Sequence, residues 1–226
     1  MKLELTVPTS LSEIPLVNYQ KFIEVSQNNE DADFISQKMI EIFCGVRLNE
    51  VVKMKMTDVV DLNNHFVKLF EQKTKLKPTF FIGDQEFGFI PDIENISLGE
   101  YVDLNKYIND IKTLHKAMAV MYRPITKKKG HRYEIMPYEG TREFADIMKF
   151  APLEIVLPAR VFFWTLGLEL VETISQSLET LKMTRKQREE VTNLLQNGDG
   201  IRQFTTSLKE MLQNSMKLPS KVYSQS

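Results

Sequence analysis

Apolar residues recur at helical spacing along most of this chain, and this pattern limits the fold more than any other feature. The spacing predicts amphipathic helices over residues 16–23, 34–43 and 59–70. Strands do not alternate regularly with helices, so a doubly wound nucleotide-binding fold is not expected. The pattern predicts a mostly α chain with a few short β-strands or hairpins, an α+β fold with a helical core.

One aromatic-rich stretch departs from the helical spacing. Two short runs, TFFI and EFGFI, flank Gly83 and Asp84, a pair that is typical of a hairpin turn. Residues 2–7 alternate between polar and apolar side chains, which predicts a half-buried strand that Pro8 ends.

Helix boundaries are indicated by residues with known positional preferences. Pro15 is expected in the first turn of one helix, and Gly45 is expected to end the next. Thr57 or Asp58 is expected to cap a third helix. Ser97 and Glu100 have the spacing of a capping box, in which the side chain of each residue accepts a hydrogen bond from the backbone N–H of the other.

The second half of the chain is predicted from similar signals. A helical pattern continues from Ser97 to Tyr122 and stops before Pro124. Residues 123–132 are expected to cross solvent as a loop, and RYEIMPY to be extended. A short helix is expected in GTREFADIMKF, and the longest helix is expected to begin at Pro158 and to end near residue 183.

Two domains are predicted from these elements. Residues 1–183 form the main α+β domain, with a weaker boundary near 74–78. Residues 184–226 form a C-terminal pair of helices and an extended polar tail.

Composition excludes several classes of protein. The net charge is −1, so no global charge drives the chain onto nucleic acid or an anionic membrane. Cys44 is the single cysteine, which excludes an intramolecular disulfide and indicates a reducing compartment. The most apolar segment, 150–171, carries charged residues and two prolines, so it is interpreted as a buried helix rather than a membrane span.

The sequence offers few groups for catalysis or for cofactor binding. The three histidines, His65, His115 and His131, have no partner at metal-ligand spacing, so no metal site is predicted. Cys44 is interpreted as a small buried apolar residue. Glycine-rich phosphate loops are missing from the sequence, and no cofactor is expected. The chain is therefore expected not to be an enzyme.

A basic cluster is the strongest candidate contact site. Five cations occur within ten residues that hold no acid: Arg123, Lys127, Lys128, Lys129 and Arg132. Three interpretations stay open for this cluster: a solvated loop, a contact with an acidic protein partner, or a contact with DNA or RNA through lysines beside aromatic rings. Tyr223 in the polar tail is a further candidate contact.

Several segments, taken in order, resemble known proteins. They are LTVPTSLSEIPLVNYQKF, EFGFIPDIENISLGEYVDL, LHKAMAVMYRPIT with YEIMPYEG, and PARVFFWTLGLELV. As a set they are similar to a family of virion structural or assembly proteins of tailed bacteriophages, including crAss-like phages of Bacteroides-type bacteria. They also resemble tail-assembly and baseplate proteins of contractile-tailed phages. The resemblance covers residues 4–172.

The resemblance implies a non-enzymatic role in a virion that is assembled in the bacterial cytoplasm. The expected role is a ring, collar or adaptor subunit of the portal-to-tail connection, acting in a cyclic homo-oligomer. Its expected partners are the portal and neighbouring ring or tail proteins. One alternative is a tail or baseplate assembly chaperone that is absent from the mature particle. A second alternative is a nucleic-acid-binding protein that uses the basic cluster.

Overall fold

The computed structural model describes residues 5–93 and 96–165. Two compact units divide the chain, Met1–Ala159 and Arg160–Ser226. The predicted weaker boundary at 74–78 lies inside the first unit, where it links a helix to a strand. The predicted division after residue 183 and the predicted C-terminal helices lie outside the described residues.

The first unit begins with four α-helices, and aromatic rings of the first, second and fourth pack together. They are α1 (Leu16–Gln27), α2 (Ala32–Cys44), α3 (Leu48–Val51) and α4 (Met56–Phe70). Phe43 of α2 lies between rings of its neighbours, with centroids 5.2 Å from Phe22 and 5.4 Å from Phe66. The residues predicted at helical spacing therefore include the buried aromatic residues of α1, α2 and α4.

The caps of these helices agree only in part with the predicted ones. Gly45 ends α2 with φ at +65°, which a residue without a Cβ adopts most readily. Pro15 lies one residue before α1, with extended backbone. The prediction of Thr57 or Asp58 as a cap is wrong, since α4 begins at Met56 after Lys55.

The predicted class, α+β with a helical core, is confirmed by one small antiparallel sheet. Its strands are β1 (Thr79–Ile82), β2 (Gln85–Phe89), β3 (Tyr122–Lys129) and β4 (Arg132–Ile135), in the spatial order β1-β2-β3-β4. The hairpin predicted around Gly83 is the β1–β2 pair. The strand predicted over residues 2–7 is not formed by residues 5–7, and residues 2–4 lie outside the described residues.

The helical pattern before Pro124 forms two helices rather than one. They are α5 (Leu98–Tyr107) and α6 (Leu114–Met121), and a short 3-10 turn, Ile111–Thr113, precedes α6. Asp110 caps this turn by accepting a hydrogen bond from the Lys112 amide at 2.9 Å. Because every residue of α6 except Lys116 is buried, α6 forms the centre of the unit against the sheet.

The predicted loop over residues 123–132 is wrong, because most of that segment belongs to β3 and to the start of β4. Pro124 is accommodated beside an irregular step between Ile125 and Lys127, where the register of β3 against β4 shifts. Only Gly130 and His131 form the turn between the two strands.

The end of the first unit is tied to its beginning. A short helix, α7 (Ala145–Met148), follows the sheet, as predicted for that segment. The amide of Leu16 donates to the Ala151 carbonyl at 2.9 Å, and the amide of Leu153 donates to the Ile14 carbonyl at 2.9 Å. Residues 153–165 are helical, so this helix begins five residues before Pro158, where the sequence predicted its start.

Candidate functional site

The β3–β4 hairpin carries the cations that the sequence singled out. Lys127 pairs with Glu134 of β4 at 3.0 Å, and Lys128 pairs with Glu86 of β2 at 2.5 Å. Neither acid lies within the basic segment itself, since one comes from the returning strand and the other from the neighbouring strand. The sheet therefore neutralises two of the lysines that look unpaired in the sequence.

Two cations remain at the tip of the hairpin. Lys129 and Arg132 face each other at the last pair of the β3–β4 register, beside the exposed His131. Both are exposed, and within residues 5–93 and 96–165 neither forms a salt bridge. We call Lys129, His131 and Arg132 the hairpin tip. It is the part of the basic cluster whose cations form no salt bridge with the described residues.

Arg123 belongs to the predicted basic cluster, but it is not a surface cation. Its residue exposure is 7%, and its Nη2 donates to Glu100 Oε1 at 2.7 Å. Its guanidinium also lies over the Tyr138 ring, 5.5 Å from the centroid. The reason is its place in β3: the second residue of the strand faces α5, whereas the lysines at the other end project into solvent.

Glu100 is held in place by the start of α5. Its Oε2 accepts hydrogen bonds from the Ser97 amide at 2.7 Å and from the Ser97 hydroxyl at 2.6 Å, which confirms the predicted capping box. Burial raises the pKa of Glu100, but the hydrogen bonds from Ser97 and the charge of Arg123 outweigh burial and hold the pKa below its ordinary value. The carboxylate form of Glu100 is therefore favoured beside Arg123.

A cavity of about 360 Å³ lies beside this ion pair. Its lining joins Arg123, Glu100 and Asp92 with mainly apolar residues: Ile90, Pro91, Ile96, Ser97, Ile135, Pro137 and Tyr138. Arg123 Nε and Nη1 are buried and have no hydrogen-bond partner among the described residues. We call this the arginine pocket.

A second, more polar cavity of about 800 Å³ contains His115 and several charged side chains. The His115 Nδ1 lies 3.1 Å from Gln20 Nε2, and burial, followed by the charges of Lys149 and Lys116, holds its pKa below the ordinary value. Lys149 itself pairs with Asp146 at 2.6 Å. His115 is thus a buried neutral residue that bonds a neighbouring helix, as expected for a structural histidine.

The remaining candidate residues, His65 and Cys44, have surroundings that indicate a structural role. His65 Nε2 lies 2.7 Å from the Pro8 carbonyl oxygen. Cys44 is buried, and burial raises the pKa of its thiol to about 11, so the nucleophilic thiolate is disfavoured. In the described part of the chain, no group of three or more His, Cys, Asp or Glu side chains is placed to hold a metal ion.

No helix in the described ranges is long and apolar enough to cross a membrane. Tyr223, the candidate contact in the tail, lies outside the described residues.

Sequence reasoning missed the arginine pocket. The capping spacing identified Glu100, and the basic cluster identified Arg123, but these residues are 23 positions apart and no local pattern joins them. The one available signal was that Arg123 precedes Pro124 directly after an apolar run, which is an unusual place for a solvated cation.

Comparisons with known proteins yield no match: no family model, no curated protein and no solved structure matches this chain.

Proposed function

We propose that this protein is a non-enzymatic structural protein of a tailed bacteriophage. Its role is that of a ring, collar or adaptor subunit of the portal-to-tail connection, located in the virion and acting within a cyclic oligomer. The observation that carries the proposal is the ordered set of segments that resembles phage virion proteins. The exposed hairpin tip supports it, because it supplies a surface whose charges are not used inside the described fold.

The hairpin tip favours a protein partner over DNA. Three of the five cations in the cluster are paired with Glu100, Glu134 and Glu86, which leaves Lys129 and Arg132. Two phosphate contacts would give a slope of about −1.8 in log K against log salt, whereas five would give about −4.5. A charge this small is better suited to an acidic side chain on a neighbouring subunit.

Purified virions test the proposed role directly. We expect mass spectrometry to detect the protein in mature particles and electron microscopy to locate it in a ring between portal and tail. Mature particles that lack the protein would contradict the proposal.

An assembly chaperone is the second candidate, and an exposed apolar face of α5 favours it. Leu98, Tyr101 and Val102 are 78%, 44% and 52% exposed, and they lie at positions i, i+3 and i+4 of one helix. Such a face could cover a tail subunit before assembly. The expected result is then the reverse: the protein is present in the infected lysate, copurifies with a tail protein and is absent from virions.

DNA binding by the basic cluster is the third candidate, and salt titration tests it. A variant with Lys127, Lys128 and Lys129 replaced by alanine should lose DNA retention if this cluster binds phosphates. Unchanged retention of DNA by that variant would rule this candidate out.

A further inference from the structure

We infer that the arginine pocket binds an uncharged peptide segment of a partner protein. A main-chain carbonyl of the segment accepts hydrogen bonds from Arg123, and an adjacent apolar side chain lies against the apolar lining. This inference rests on the proposed function, because it takes the partner to be a neighbouring protein in the assembly. It adds the chemistry by which one contact with that neighbour would form.

Two nitrogens of the Arg123 guanidinium have no hydrogen-bond acceptor among the described residues. A guanidinium carries five N–H groups, of which Nε holds one and Nη1 holds two. Glu100 is bonded through Nη2, while Nε and Nη1 have no partner in the described ranges and their residue is 7% exposed. A buried donor without an acceptor destabilises the fold, so a ligand that brings a hydrogen-bond acceptor is favoured here.

The charges that line the pocket disfavour an anionic ligand. Asp92 and Glu100 line the same pocket as Arg123, which is the one cation of the lining. Glu100 already pairs with Arg123, so a carboxylate or phosphate ligand would place a second negative group beside one guanidinium, at a separation where like charges repel. An uncharged carbonyl oxygen gives Arg123 the acceptor it lacks without this repulsion.

The position of the pocket beside the last strand of the sheet favours an extended peptide as the ligand. Ile135, Pro137 and Tyr138 of the lining come from the end of β4 and the residues after it, and β4 is the last strand in the order of the sheet. An edge strand offers unpaired backbone groups to an added extended chain. A volume of about 360 Å³ is at the small end of ligand sites, which suits one residue of such a chain.

Nuclear magnetic resonance on the labelled full chain tests the inference, with the Arg123 Nε–H resonance as the readout. The probe is N-acetyl-leucine N′-methylamide, an uncharged molecule with two carbonyl groups and one apolar side chain. N-acetyl-leucine, which ends in a carboxylate, is the charged comparison. We expect the amide to shift the Arg123 resonance in a saturable way at millimolar concentration, and the carboxylate to shift it several-fold less at the same concentration.

Two variants separate binding in the pocket from indirect effects. Ile135→Ser removes apolar lining and should abolish the saturable shift, and Ile96→Ser provides the same test should the first variant unfold. Val52→Ser, at an exposed position with 59% exposure, should leave the shift unchanged. The inference is overturned if the amide leaves the resonance unmoved, or if the carboxylate moves it more.

The result is independent of the virion experiment. If the protein is found in the particle but the amide does not shift its Arg123 resonance, the proposed function stands and this inference is wrong. If the amide binds saturably but the protein is absent from virions, this inference stands and the proposed role in the virion is wrong.

Discussion

Arg123 and Glu100 form the one described salt bridge in which both side chains are almost fully buried, each with 8% of its side chain exposed. Removing one member of such a pair leaves the other charge buried without its partner. Glu100→Gln keeps the size of the side chain and removes its charge. We expect it to lower the free energy of unfolding by about 3–5 kcal/mol, measured by urea denaturation.

A matched control for that variant lies on the hairpin. Glu134 pairs with Lys127, and their side chains are 65% and 77% exposed. Glu134→Gln should change the free energy of unfolding by less than about 1 kcal/mol, because solvent screens an exposed pair. Equal losses in the two variants would contradict a special contribution from the buried pair.

The same pair predicts a dependence of stability on pH. The pKa of Glu100 is lower in the folded chain than in the unfolded chain, so its contribution is complete above the unfolded pKa of about 4.3 and is lost as pH falls through the folded pKa. The difference in free energy of unfolding between the native protein and Glu100→Gln should therefore be constant near neutral pH and shrink below about pH 4.3. Urea denaturation at several pH values measures it, and a difference that grows on acidification would contradict the prediction.

Gly88 in β2 has a steric role that its backbone angles do not reveal. A Cβ at this position would lie 2.5 Å from Cε2 of Tyr133, whose hydroxyl donates to the Phe89 carbonyl at 2.9 Å. Because that bond anchors the ring, Gly88→Ala should lower the free energy of unfolding by about 1–3 kcal/mol. In a double-mutant cycle with Tyr133→Leu, we expect Gly88→Ala to lower the free energy of unfolding by less than it does in the native protein, because the ring that the new Cβ would contact is absent. An unchanged cost would show that the ring is not the cause.

At the scale of elements, the sequence predicted the turns and helix starts that depend on neighbouring residues. Gly83 with flanking aromatic runs predicted the β1–β2 hairpin, and Ser97 with Glu100 predicted the start of α5. Both depend on residues within a few positions of one another, so a short window of sequence contains the whole signal.

The strand β3 could not be predicted in the same way. Three successive lysines and a proline are poor strand formers, and β3 is held by Phe87–Phe89 on one side and by β4 on the other. The pairing of β3 with β2 joins residues more than 30 positions apart, and long-range pairing overrides local preference. The salt bridge from Lys128 to Glu86 and the buried pair of Arg123 with Glu100 arise from the same long-range packing, so the candidate site was missed together with the strand.

At the scale of the whole molecule, the chain offers partners a surface distributed over separate elements. The hairpin tip, the arginine pocket and the exposed face of α5 all belong to the first unit, yet they differ in chemistry: cationic, donor-rich and apolar. A subunit of a closed ring needs two different surfaces, because each copy meets its neighbours through non-identical patches. This arrangement is compatible with the proposed ring. Because the three surfaces lie on separate elements, each can be altered by mutation without changing the others.

Charge reversal at the hairpin tip tests the assembly role without disturbing the fold. Lys129→Glu with Arg132→Glu should leave the free energy of unfolding within about 0.5 kcal/mol of the native value, since both side chains are exposed and unpaired among the described residues. Supplied to a phage that lacks the native gene, this variant should enter particles about tenfold less, as expected for a loss of about 1.4 kcal/mol in a contact with an acidic neighbour. Quantitative mass spectrometry of purified particles measures the incorporation.

Lys73→Glu with Lys75→Glu supplies the matched control, because it makes the same change in net charge at two exposed lysines between α4 and β1. We expect this control to enter particles at the native level. If both variants are incorporated equally, whether at the native level or below it, the hairpin tip makes no specific contact: the first outcome shows that its charge is not needed, and the second shows that net charge alone governs assembly. Reduced incorporation of the tip variant alone, with unchanged stability, would identify Lys129 and Arg132 as a contact between the protein and its neighbour in the particle.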